Sequence, residues 1–187
     1  MSETKKTALI LVDVIDSFFK LGMPNHYADV AQVVEPLRKL LAAARVHKRL
    51  IIHAAERHRP GLHDFEWHKL PHHHFVDEPD AAVTAGFEMQ GPNEVLVPKR
   101  RYSAFFATDL ALLLNEQGIK RVIVAGVKTN VCIRATVQDA FANGFEPIVP
   151  REATNSNRPH LAAATLEDIE RYFGMVVSLD EALGLLA

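Results

Sequence analysis

A chain of 187 residues suits one domain, residues 1–187, and at that length roughly 70% of the unfolded surface can be buried, enough for a core without metal or disulfide staples. Hydrophobic residues at 48% and charged residues at 24% exclude a disordered, fibrous or membrane-embedded composition. Lys plus Arg, 21, nearly balances Asp plus Glu, 23, so no strong field recruits nucleic acid or anionic lipid, and small neutral or weakly charged partners fit better.

The N-terminus reads Met-Ser-Glu-Thr-Lys-Lys, and the apolar run after it is broken by Asp13, too soon for a signal h-region or a membrane span. A cytoplasmic location is expected. Thr7 to Val12 (TALILV) is a continuous apolar run of the kind that forms a strand buried on both faces. From Tyr27 to Val46 apolar residues recur at helical spacing, and Leu50 to Ile52 gives a second β-type run. Ala55 to Gln90 is irregular and rich in His and Pro; a long loop inside a compact domain is usually functional or mobile. Val95 to Val97 follows as a strand, then a helix from Phe105 to Asn115 that stops near Gly118, then the buried strand Arg121 to Gly126 (RVIVAG). A helix from Val131 to Asn143, a strand at Pro147 to Val149, a helix from His160 to Phe173, a strand at Met175 to Val177 and a terminal helix complete the chain. Six strands alternating with helices predict a three-layer, doubly wound α/β sandwich, Rossmann-like, with a mostly parallel sheet, because parallel neighbours need crossovers and the helices then cover both faces.

In open parallel sheets ligands bind beyond the carboxyl ends of the strands, which directs attention to Asp13, Lys99 and Cys132. Each follows an apolar run, so the fold would bring them to one edge of the sheet. Cys132 is the chain's one cysteine and cannot make an internal disulfide. It falls in the first turn of a helix that begins near Thr129 or Asn130, both good N-cap residues, where the helix dipole and unpaired N–H groups favour a thiolate and could hold an oxyanion. Lys99 would lower the thiol pKa further, and Asp13 could take the thiol proton and return it to a leaving nitrogen. Taken singly each has a plainer reading: a buried small hydrophobe for Cys132, a cap or turn residue for Asp13, and a solvated turn for Lys99 beside Arg100 and Arg101.

Three blocks of the chain, ALILVDVIDSFF at Ala8 to Phe19, VPKRRYSAFFATDLALLL at Val97 to Leu114 and VIVAGVKTNVCIRATVQDAFANGF at Val122 to Phe145, together resemble the isochorismatase-like cysteine hydrolases. That family includes nicotinamidase, N-carbamoylsarcosine amidase and ureide amidohydrolases. The first block carries Val14-Ile15 where family members often have Met-Gln. The resemblance implies a catalytic triad of Asp13, Lys99 and Cys132. It also implies a non-proline cis peptide between Val127 and Lys128 that turns backbone N–H groups toward the nucleophile, making an oxyanion hole of the Lys128 and Cys132 N–H groups. Family members usually associate, so a homo-oligomer, dimer or tetramer, is expected, sometimes with a neighbouring subunit closing the pocket.

Seven of the ten histidines lie between His53 and His74, and the five-residue spacing of His53, His58, His63 and His68 does not build one helix face. Metal-binding members of the family carry an Asp-x-His pair and a further His; the match here is Glu56, His58 and His74, with glutamate replacing aspartate. Such a set suits zinc or iron. The other reading requires no cofactor and has these histidines lining or rimming the pocket as neutral hydrogen-bonding groups, with Trp67 and Phe65 as apolar walls. Phe18, Phe19, Trp67 and Tyr102 are pocket candidates by position.

The function expected is hydrolysis of a C–N bond in a small amide or ureide, through a thioester on Cys132. The alternatives are a metal-assisted nicotinamidase, an isochorismatase-type vinyl-ether hydrolase, which the cysteine argues against, and a non-catalytic ligand-binding relative.

Overall fold

The computed structural model describes residues 6–70, 74 and 78–187. Its centre is β1 (Thr7–Val12), buried along its whole length. Parallel partners lie on both sides of it, β2 (Ile51–Glu56) and β4 (Arg121–Val127). The other strands are β3 (Glu94–Lys99), β5 (Glu146–Pro150), β6 (Thr154–Asn155) and β7 (Met175–Val177). The order is β3-β2-β1-β4-β5-β7, with β6 paired to the end of β4, and every pairing is parallel.

Successive side chains of a strand point to opposite faces, so a strand covered on both faces must be apolar at every position. In β1, Leu9 and Leu11 join Ile51, Ile123 and Ile148 in one core. This core is closed by Leu37, Leu40 and Leu41 of α2 (Val34–Val46) and by Ala182 and Leu186 of α6 (Leu179–Leu186). Ala8, Ile10 and Val12 face the opposite core with Val122 and Val124. There the cover comes from α3 (Leu110–Glu116), α4 (Arg134–Ala142) and α5 (Pro159–Tyr172). The result is the three-layer, doubly wound arrangement; a four-residue helix, α1 (Asp16–Phe19), follows β1. Among the described residues no helix is long and apolar enough to cross a membrane.

Three differences from the sequence expectation have local causes. The sheet has a seventh strand, because the two residues of β6 extend beyond β5 along β4 and are too few to make an apolar run. The helix expected from Tyr27 begins at Val34, after a tighter 3₁₀ turn at Ala28–Val33. Pro36 has no N–H to give Gln32, so it suits the first turn of a helix and not an interior. The helix expected from Phe105 begins at Leu110. Before it, Ser103 Oγ accepts from the Phe105 N–H at 3.1 Å and Thr108 Oγ1 donates to the Ala104 carbonyl at 2.6 Å, local bonds that compete with a helical ladder.

Candidate active site

The chain winds outward from β1 through β2 to β3 on one side, and through β4, β5 and β7 on the other. The reversal between β1 and β4 opens a crevice at the carboxyl ends of the strands. Parallel register keeps those ends level: Val12 is opposite both Ala54 and Gly126, and Glu56 is opposite Lys99.

Asp13, the first residue past β1, has φ 53°, in the left-handed region that Asp enters more readily than most residues. Its N–H donates to the Ala54 carbonyl at 2.8 Å, and its Oδ1 accepts from the Glu56 backbone N–H at 2.8 Å. Lys99 ends β3, and its Nζ lies 2.8 Å from Asp13 Oδ2 and 3.7 Å from Cys132 Sγ, while also donating to the Arg101 carbonyl at 3.3 Å. Asp13 and Lys99 are fully buried and Cys132 is 5% exposed. The three positions singled out in the sequence are therefore in mutual contact.

Cys132 does not sit in the first turn of a capped α-helix. It lies in a wide π-type turn, Thr129–Ile133, that precedes α4, and the residue before that turn, Lys128, supplies no side-chain cap. Thr129 Oγ1 is instead engaged with Thr154 Oγ1 at 2.8 Å, and Asn130 Oδ1 accepts from Ser156 Oγ at 2.6 Å, which ties the turn to β6 and the loop after it. The Val127–Lys128 peptide bond is cis.

Burial pushes the Cys132 thiol well above its ordinary value, and the nearby Asp13 and Glu56 carboxylates add to this; the Lys99 ammonium opposes them without prevailing. The direction of this shift is opposite to the one expected from helix position. Burial also raises the Asp13 carboxyl, against the pull of Lys99. For Lys99, burial works against the ammonium, but Asp13, Cys132 and Glu56 outweigh it and hold its pKa above the usual lysine range.

The thiol opens onto a cavity of about 190 Å³. Phe18, Leu70, Tyr102 and Val131 give it apolar walls; Asn25, Glu56, His74 and Lys128 bring polar groups to it. Burial raises the Tyr102 phenol, with the Glu66 and Glu56 carboxylates adding to the effect. Phe19 and Trp67 do not line this cavity. Phe18 takes the inward position on α1, its ring 5.5 Å from that of His74, and Phe19 packs against the core. Trp67 lies 6.2 Å from the His58 ring, and Phe65 is exposed. A larger cavity of about 450 Å³, lined by Arg57, Arg59, Arg100 and Arg101, shares no residue with the first.

Behind the cavity lies a buried charge cluster. His58 Nδ1 faces Asp64 Oδ2 at 3.0 Å, and His58 Nε2 faces Glu56 Oε1 at 3.0 Å and Glu66 Oε2 at 3.2 Å. Burial disfavours the imidazolium, but hydrogen bonds to Glu56, Glu66 and Asp64 outweigh it and raise the His58 pKa to about 10. Asp64, also held by Arg100 and Arg101 at 3.1 and 2.9 Å, lies below the usual carboxylate range despite its burial.

The metal set implied by the resemblance, Glu56, His58 and His74, does not fit this arrangement. Donor atoms of Glu56, His58 and Glu66 lie within 4.8 Å of one another, but His74 is not part of that group. His74 Nε2 faces Ser17 Oγ at 2.7 Å and Asn25 Nδ2 at 3.2 Å, with Nδ1 3.3 Å from Glu56 Oε2. Carboxylates on both nitrogens of His58 suit a doubly protonated ring, and the same Nε2, with Asp64 holding Nδ1, could instead serve with Glu56 and Glu66 to hold an ion. The reading of these histidines as neutral groups also gives way at His58. His53 lies further down β2 against Glu94 at 3.0 Å, where burial lowers its pKa. His72 and His73 lie outside the described residues.

Sequence reading missed Asp64, Glu66 and Asn25. Asp64 had one readable signal, since its Oδ1 caps the short 3₁₀ turn Phe65–His68 by accepting from the Glu66 N–H at 3.0 Å. Asn25 and Glu66 stand in stretches without periodicity.

The family model described as Isochorismatase domain matches residues 7–181. A maleamate amidohydrolase from Pseudomonas putida is 36% identical over 196 residues, covering 96% of this chain and 86% of that protein. An N-carbamoylsarcosine amidase from an Arthrobacter species is 29% identical, covering 97% of this chain and 71% of its own. A crystal structure of the pyrazinamidase of Pyrococcus horikoshii in complex with zinc superposes with a TM-score of 0.83 at 26% identity, over 92% of this chain and 99% of that one.

Proposed function

The chain belongs to the isochorismatase family and is an amidohydrolase acting on C–N bonds other than peptide bonds; from that premise we propose that Cys132 is its nucleophile, Asp13 its proton carrier and Lys99 the cation that holds both. The observation that supports this most is the convergence of the three, with Lys99 Nζ 2.8 Å from Asp13 Oδ2 and 3.7 Å from Cys132 Sγ beside a small cavity. A volume of about 190 Å³ is below the roughly 300–1,000 Å³ of pockets for drug-sized ligands, so the substrate is small.

In this reading the Asp13 carboxylate takes the thiol proton as sulfur attacks the amide carbonyl carbon. The carbonyl oxygen becomes an oxyanion held by the Lys128 and Cys132 backbone N–H groups. Asp13 returns the proton to nitrogen, the C–N bond breaks, and ammonia or an amine leaves a thioester. Water then attacks the thioester, giving a proton to Asp13, and the acid product leaves as the thiol re-forms. Lys99 remains charged throughout and offsets the negative charge that moves between sulfur and carboxylate. No step passes through a metal. A homo-oligomer whose neighbouring subunit helps close the pocket is consistent with the reading.

The test is ammonia release from a panel of small amides, ureides, maleamate and nicotinamide, with Cys132→Ala run beside the wild type. We expect turnover of at least one carboxamide or ureide and its abolition by Cys132→Ala with the fold intact. Turnover that survives Cys132→Ala removes the mechanism.

A further inference from the structure

The catalytic reading uses only the backbone N–H of Lys128. Its side chain does not face open solvent: Lys128 is half-buried and lines the cavity that Cys132 opens onto. The Nζ lies 5.6 Å from the centroid of the Phe18 ring and 5.4 Å from that of Tyr27. Tyr27 is fixed in turn, its hydroxyl donating to Asn155 Oδ1 at 2.7 Å and the Asn155 amide donating to the Asp29 carbonyl at 2.6 Å. Two aromatic faces favour the cation. Among the described residues no carboxylate pairs with Lys128.

An ammonium partly withdrawn from water, with no carboxylate beside it among the described residues, is held at some cost, and that cost falls when a bound molecule supplies the opposite charge. The contrast with Lys99 is informative, because that cation is matched by Asp13 inside the protein. Glu56 also lines the cavity, so an incoming anion is directed away from it and toward Lys128. The small volume sets the reach: the anionic group and the reacting carbonyl are separated by only a few atoms.

We propose that Lys128 Nζ is the anchor for a substrate carboxylate, and that the substrate class is a short amide bearing a carboxylate a few atoms from the scissile C–N bond. Lys128 then acts twice, with its N–H on the carbonyl oxygen and its ammonium on the carboxylate. This inference rests on the placement of the reacting carbonyl at Cys132 made above.

The test measures binding and turnover separately. In Cys132→Ala protein, calorimetry compares maleamate and succinamate with the matching uncharged diamides. We expect the carboxylated amides to bind about tenfold or more tightly than the diamides, as a charge-assisted contact requires. Lys128→Met in the same background should erase that preference and Lys128→Arg should keep much of it. A parent protein with no preference for the carboxylated amides overturns the proposal without recourse to any Lys128 variant, as does a preference that Lys128→Met leaves unchanged. A Lys128-dependent preference in a protein whose intact form releases no ammonia from these amides would uphold the carboxylate site and count against the catalytic reading. Rapid turnover with KM unmoved by Lys128→Met would do the reverse.

Discussion

Burial makes the Asp13–Lys99 pair costly to break from one side, since neither side chain reaches water. Asp13→Asn leaves an ammonium without its carboxylate, and Lys99→Met leaves a carboxylate without its ammonium; each is expected to cost about 3–5 kcal/mol. Loss of the proton carrier should also lower turnover about 10²- to 10⁴-fold. The double variant Asp13→Asn/Lys99→Met should recover most of the lost stability in urea unfolding while remaining inactive. A double variant no more stable than the worse single variant would show that the two charges are not coupled. At Cys132 the expected signature is a thiol that resists iodoacetamide at neutral pH. Burial raises its pKa above the ordinary 9.0, so its alkylation rate should still be climbing beyond that pH, and a plateau near pH 7 would contradict that direction. Because no step of the proposed mechanism passes through a metal, dialysis against a chelator should leave turnover within about twofold of its starting value. Activity lost to the chelator and restored by zinc would reassign Glu56, His58 and Glu66 as ligands.

Among the elements, the contact between β1 and β4 carries the site, because Asp13 leaves one and the turn holding Cys132 leaves the other. Gly126 makes that contact possible. Its φ is 120°, and a Cβ there would sit 2.1 Å from the Val12 carbonyl oxygen, a backbone atom that cannot swing aside. Gly126→Ala should therefore force the strands apart directly below Asp13, at a cost of about 1–3 kcal/mol or more, and depress turnover further than its loss of stability explains. Thermal unfolding beside an activity assay checks this, and unchanged values in both would mean that the strands adjust freely. The inner strands β1 and β4 were the most legible, because burial on both faces writes them as the near-continuous apolar runs TALILV and RVIVAG, whereas β3 and β7 at the sheet's edges are only partly buried and showed as short apolar triplets. Helix starts were less legible. They depend on single side chains, Pro36 in the first turn of one and Thr108 before another, which a periodic pattern does not register. The residues at the strand ends, Asp13, Lys99 and Cys132, could be picked out because a parallel sheet has one functional edge. Asp64, Glu66 and Asn25 reach the same region from irregular segments, where neither periodicity nor strand direction predicts which side chain turns inward.

For the molecule as a whole, the charge cluster around His58 should appear as a dependence of stability on pH. Native His58 holds its proton to about pH 10, whereas the ordinary histidine value is 6.5, so between those limits the folded protein binds a proton that the unfolded chain has released. A raised folded pKa gives stability that is complete below pH 6.5 and is lost as pH rises through about 10. The melting temperature should accordingly decline across that window, with the Cys132 thiol adding to the decline at its upper end, because the native thiol stays protonated where the unfolded one ionises. His58→Gln removes the titration but leaves three carboxylates crowded together, so its melting temperature should be lower at neutral pH and should fall less steeply from pH 6.5 to 10. The difference in slope between the two proteins isolates the histidine from the thiol and from every other group they share. Equal slopes would mean that His58 is neutral in the folded state, and the lone pair so freed on one of its nitrogens would restore the case for a metal beside Glu56 and Glu66.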